Sequence, residues 1–77
     1  MTQDKFIEEL KRQYAVLFLE PEYKMASQRY TPEELARKMT AGLKDGTANK
    51  DGDGIRRTCK ALGIKFTYKA IQQYLKE

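Results

Sequence analysis

The sequence predicts an all-α protein, a small bundle of four or five short helices. Three observations lead there. Apolar residues recur at spacings of three and four, one segment carries a complete helix-start signature, and glycines stand where helices should stop. A chain of 77 residues with 40% apolar content makes one small domain, residues 1–77, with enough apolar side chains for a single core.

The first helix is expected to start at Thr2 as N-cap and to carry Phe6, Leu10, Tyr14 and Leu17 on one face. Residues 14–20, "YAVLFLE", also have strand-like composition, but the apolar stripe keeps helical phase through Leu17. Pro21 disfavours helical geometry at Glu20 and ends the element. Residues 21–30 are expected to form one or two helical turns with Tyr23 and Met25 pointing inward. In "TPEE", Thr31 is the N-cap, Pro32 takes the first helical position, and Glu34 closes a capping box. Leu35, Met39 and Leu43 follow as an apolar stripe, and Gly46 suits a left-handed C-terminal residue. The polar run over residues 45–53 reads as a flexible loop. Its last aspartate, Asp53, is expected to cap the next helix, whose inner stripe is Ile55, Cys59 and Leu62 and whose stop is Gly63. Thr67 caps a final helix. Phe66 before the cap and Ile71 inside it have hydrophobic-staple spacing, and Tyr74 and Leu75 continue the inner face.

Several function classes fall away on composition. The longest apolar run, Ala15 to Leu19, is far shorter than the ~18 residues a membrane span needs. The N-terminus mixes both charge signs and has no apolar block, so no signal peptide is expected. Cys59 is the sole cysteine, which rules out an internal disulfide and fits a reducing cytoplasm. With no histidine and one cysteine, a zinc or haem site made by this chain alone is close to excluded, and histidine acid–base catalysis and Ser-His or Cys-His nucleophiles are out of reach. Glu8, Glu9, Glu33 and Glu34 sit beside lysines and arginines in helical segments, as solvated faces do. The expectation is no enzyme, no cofactor and no membrane partner.

"NKDGDGIRRTCK", residues 49–60, has the alternating oxygens of a calcium loop in Asn49, Asp51 and Asp53, followed by Gly54. Such a loop ends on a bidentate glutamate at its twelfth position and has an apolar residue at its eighth. Here those positions hold Lys60 and Arg56. The charge-completing ligand is reversed, so the segment reads as a turn leading into a helix, without metal.

Charge is distributed unevenly. Residues 1–38 hold seven basic and seven acidic residues, whereas residues 39–77 hold eight and four, so the whole net charge of +4 lies in the C-terminal half. From Gly54 to Lys76 there are six basic residues (Arg56, Arg57, Lys60, Lys65, Lys69, Lys76) and no acid. Solvated helices usually intersperse signs, and an unbalanced face attracts polyanions, nucleic-acid phosphates foremost.

In "IRRTCKALGIKFTYKAIQQYL", Cys59 is a small residue placed to pack between two helices. Gly63 lies four positions on at the turn, Ile64 follows as an apolar anchor, and Ile71 is the inward branched residue of the second helix. This segment resembles the helix-turn-helix unit of DNA-binding proteins, and residues 53–77 would form that unit. It departs from the common pattern in a turn about two residues longer, through Lys65, Phe66 and Thr67. The resemblance implies that the last helix is the recognition helix, with Lys69, Gln72, Gln73 and Lys76 outward. Gln can pair with adenine edges, and Lys with guanine or phosphate. Arg56, Arg57 and Lys60 would then lie against backbone phosphates. Glutamine and lysine are also good helix formers that occupy any solvent face.

The expected function is a small DNA-binding regulatory or accessory protein with duplex DNA as partner. A homodimer is expected because one recognition helix buries little surface, and the apolar run from Tyr14 to Leu19 could supply its contact. The alternative is a protein-binding module of phage or mobile-element style, an inhibitor or adaptor that docks the same basic face on an acidic protein partner.

Overall fold

The spacing of apolar residues along the first sixteen helical positions determines the architecture, because that helix becomes the hub of the core. A computed structural model describes residues 1–77. It contains α1 (Thr2–Leu17), a 3-10 turn (Pro21–Tyr23), α2 (Lys24–Arg29), α3 (Pro32–Asp45), α4 (Asp53–Leu62) and α5 (Tyr68–Lys76), and no strand. The segment with strand-like composition is helical through Leu17 and turns at residues 18–20. Phe6, Ile7, Leu10, Tyr14 and Leu17 of α1 are buried, and α1 packs against α3, α4 and α5. The radius of gyration, 11.5 Å, equals the ~11.5 Å expected for one compact body of this length. No helix is long and apolar enough to cross a membrane.

α3 begins as its sequence dictates. Thr31 Oγ1 accepts from the Glu34 amide at 3.1 Å, Glu34 Oε1 accepts from the Thr31 amide at 2.9 Å, and Gly46 ends the helix in left-handed geometry with φ +81°. Its buried face, however, is Ala36, Thr40 and Leu43, with the expected Leu35 and Met39 only half-buried. Small side chains at 36 and 40 allow the close helix approach, and the Thr40 hydroxyl donates to the Ala36 carbonyl at 2.7 Å, so its burial leaves no polar group unmatched.

Three local expectations are corrected. Thr2 is the first helical residue rather than the cap: the Met1 carbonyl already accepts from the Lys5 amide, and the Thr2 hydroxyl is buried without a hydrogen-bond partner. Asp53 is likewise inside α4. Gly52 is the N-cap because its carbonyl accepts from the Arg56 amide at 3.0 Å. Met25 points outward and is 67% exposed. The short α2 buries none of its residues and makes its principal contacts with the turn before it, so it has no groove in which to seat a side chain.

α4 crosses α1 closely at Gly54. A Cβ there would lie 2.5 Å from the Tyr14 ring, nearer than real contacts allow, so the crossing requires glycine. Tyr14 begins an aromatic run: its ring is 5.8 Å from that of Phe18, which is 6.3 Å from that of Tyr23. Burial pushes the Tyr14 phenol well above its ordinary titration range.

Candidate nucleic-acid interface

The C-terminal helices owe their orientation to their inner faces. In α4, Ile55 and Cys59 are each 1% exposed and belong to the core, while the Thr58 hydroxyl donates to the Gly54 carbonyl at 2.7 Å. Leu62, expected on the same stripe, is only half-buried, because the helix ends there and Gly63 turns the chain away at φ +71°. The Ile64 amide donates to the Cys59 carbonyl at 2.8 Å, which closes the helix end. Thr67 Oγ1 accepts from the Ala70 amide at 3.1 Å and starts α5, which buries Ile71 and Leu75. Both helices are held chiefly through α1, and α5 also packs on α3; the principal helix contacts do not include an α4–α5 pair. Burial raises the Cys59 thiol, and the nearby Lys50 ammonium partly offsets this.

With the inner faces fixed, the basic residues are turned to solvent. Arg56, Arg57 and Lys60 are exposed on α4, Lys65 in the turn, and Lys69 and Lys76 on α5. Arg56 and Lys60 stand one helical turn apart, with Arg57 three residues before Lys60, so the three share one side of α4. Arg56 is neutralised locally: its guanidinium donates to Asp53 at 2.6 Å, and that bond holds the Asp53 carboxyl below the usual carboxylate range. Arg57, Lys60, Lys65, Lys69 and Lys76 have no acidic partner within ion-pair distance.

The two glutamines of α5 separate. Gln73 is exposed and makes no hydrogen bond within the chain, whereas Gln72 is half-buried and its amide donates to the Leu43 carbonyl at 3.1 Å. Gln72 therefore satisfies one of the terminal carbonyls of α3.

Reasoning from sequence alone missed Lys50. Its backbone amide donates to the Tyr68 hydroxyl at 3.0 Å, its ammonium sits 4.0 Å from the centre of the Phe66 ring, and its side chain is 19% exposed. No local pattern links a loop lysine to aromatics sixteen and eighteen positions later, so nothing in the sequence signalled it. The surrounding connector, residues 46–52, is extensively hydrogen-bonded. The Thr47 amide and hydroxyl donate to Asp45 Oδ1, the Ala48 amide donates to the Gly42 carbonyl, and the Asp51 amide donates to Asn49 Oδ1. Of the oxygens that suggested a calcium loop, Asn49 Oδ1 accepts from the Asp51 amide, Asp51 Oδ1 accepts from the Lys50 ammonium, and Asp53 Oδ1 accepts from Arg56.

The fold and the surface charge define a small all-helical protein whose C-terminal helices carry unpaired positive charge. Compared with protein-family models, curated proteins and solved structures, the chain gives no match.

Proposed function

We propose that this chain is a small DNA-binding protein, regulatory or accessory in role, that engages duplex DNA through α4 and α5. One observation carries the reading: of the six basic residues between Gly54 and Lys76, all are exposed and only Arg56 has an acidic partner. A protein gains little by leaving five cations uncompensated on a surface this small, unless an anionic partner supplies the counter-charge. α1, α3 and α4 each carry an acid in their first turn and α5 carries none, so the positive end of its dipole is uncompensated. In this reading α5 is the recognition helix of a helix-turn-helix-like pair that departs from the usual unit in being held together chiefly through α1, and Arg57 and Lys60 of α4 rest on backbone phosphates. Pairing of two copies adds the surface that one recognition helix lacks, and Val16 and Leu19, 54% and 85% exposed, are apolar residues free to contribute.

The test is binding to random duplex DNA across a salt series. Affinity falls with salt at a log–log slope of roughly −0.9 per phosphate neutralised. Arg57→Ala and Lys60→Ala each weaken binding on all sequences and flatten the slope by about one unit. Absence of duplex binding at about 50 mM salt ends this reading. An acidic protein would then be the partner of the same face.

A further inference from the structure

We infer that α5 is divided lengthwise into a clamping edge and a reading edge, with Gln73 as its one base-reading amide. The inference rests on the DNA-binding reading and narrows it. Tyr68 and Gln72 lie one helical turn apart on the same side of α5. The Tyr68 hydroxyl accepts from the Lys50 amide at 3.0 Å, and the Gln72 amide donates to the Leu43 carbonyl at 3.1 Å. Both bonds hold the α3–α4 connection: Leu43 belongs to the last turn of α3, and Lys50 precedes α4 by three residues. The Lys50 ammonium over the Phe66 ring, at 4.0 Å, fastens the same connector to the turn before α5. This edge is spent on the protein itself. A base that competed for Gln72 would leave the Leu43 carbonyl without its donor, half-buried beside α5.

The adjoining outward edge carries Lys69 and Gln73, one helical turn apart, with Lys76 at the end of the helix where the two edges meet; all three are exposed and none is hydrogen-bonded or ion-paired within the chain. An unengaged carboxamide can present its donor and acceptor together to an adenine N6/N7 edge, while the flanking ammoniums meet guanine or phosphate acceptors. Discrimination through Gln73 is therefore expected at one adenine-containing position of the target. Gln72 and Tyr68 are engaged with the connector and make no base contact.

The experiment is selection of bound sequences from a randomised duplex pool by wild type, Gln73→Ala and Gln72→Ala, each checked to be folded by circular dichroism. Amide exchange at Lys50 is measured in wild type and Tyr68→Phe. The expected result is a wild-type preference that includes an adenine position. Gln73→Ala loses that position alone, with affinity on the selected site down about tenfold to a hundredfold and the salt slope unchanged. Gln72→Ala retains the same preference, and Tyr68→Phe loses protection at the Lys50 amide while remaining folded. If Gln73→Ala keeps the full preference, if Gln72→Ala alters it, or if wild type binds duplex with no preference, the division is wrong while duplex binding stands. Undiminished Lys50 protection in Tyr68→Phe removes the clamp. Failure of wild type to bind any duplex overturns the DNA-binding reading itself, and this inference with it.

Discussion

The two ends of the molecule treat charge in opposite ways. α1 and α3 carry six acids and six bases, and half of those bases are paired within the chain: Lys11 lies 3.2 Å from Glu33 and 3.9 Å from Glu8, Arg37 reaches the other oxygen of Glu33 at 3.3 Å, and Arg12 pairs with Glu9 at 2.7 Å, whereas Lys5, Lys38 and Lys44 have no acidic partner. Along α4 and α5, only Arg56 is matched. The N-terminal network contributes little energy, since its members are largely exposed, and exposed pairs are worth about 0–1 kcal/mol. Its effect is on the outward field, which it cancels. The difference teaches that one shared core can support two surfaces of different electrostatic character, a balanced one on α1 and α3 and a positive one on α4 and α5.

That shared core supplies the largest expected effect. Ile71 is fully buried and belongs to the same cluster as Phe6, Leu10 and Leu43. Ile71→Ala should cost about 2–5 kcal/mol, and urea unfolding followed by far-UV circular dichroism and by tyrosine fluorescence should show one coincident transition. Two separated transitions would mean that the ends fold independently and that the comparison is between two units. Leu62→Ala, at the half-buried end of α4, should cost distinctly less.

Next comes the α1–α4 crossing. Gly54→Ala forces a methyl into the Tyr14 ring, where a Cβ would lie 2.5 Å from a ring carbon, and should cost about 1–3 kcal/mol in chemical denaturation. On the proposed DNA-binding reading, that variant should also weaken duplex binding without changing the salt slope, because it displaces Arg57 and Lys60 of α4 without removing their charge.

The caps offer a smaller comparison between the two ends. Thr31 has a reciprocal box with Glu34, while Thr67 accepts a single bond from Ala70. Thr31→Ala and Thr67→Ala should each cost roughly 1 kcal/mol in thermal or urea melts, Thr31→Ala the less, because the Glu34 side chain still accepts from the backbone amide of residue 31.

The smallest effect is in acid. Hydrogen bonds from Lys11 and Arg37 hold the Glu33 carboxyl below its ordinary range, and Arg56 does the same for Asp53. Each folded value lies below the unfolded one. The stability contributed is therefore complete above the ordinary carboxylate range and is lost as pH falls through the depressed folded value. Glu33→Gln should lower the melting temperature slightly at neutral pH, with the difference from wild type vanishing once the pH falls below the depressed folded value. A difference that persists in acid would show that Glu33 contributes through packing rather than charge.

Much of the fold could be read from local patterns, and the failures share one cause. The Thr31 box, the Gly46 and Gly63 stops and the Thr67 cap lie within a few residues of the groups they serve, so sequence alone locates them. The rotation of α3 onto Ala36 and Thr40 depends on how closely α1 approaches, which no pattern within α3 encodes. Met25 looked inward because its spacing allowed it, yet no neighbour was there to receive it. Of the candidate site, the exposed cations were legible because exposure follows from the inner stripe. The capture of Gln72 by Leu43 and the setting of Lys50 against Phe66 and Tyr68 were not, since each joins positions at least sixteen residues apart.

The weak seating of α2 has a consequence for how the chain meets proteases. Trypsin must draw several residues on each side of its target into an extended conformation, which a packed helix resists and a helix that buries nothing permits. Lys24 and Arg29, the ends of that six-residue helix, should therefore be cut before any other of the fifteen basic residues. The first products should be an N-terminal peptide containing α1 and a C-terminal peptide containing α3, α4 and α5. Because α1 is the hub against which those three helices pack, the nicked pieces should elute together in size-exclusion chromatography and part only in denaturant.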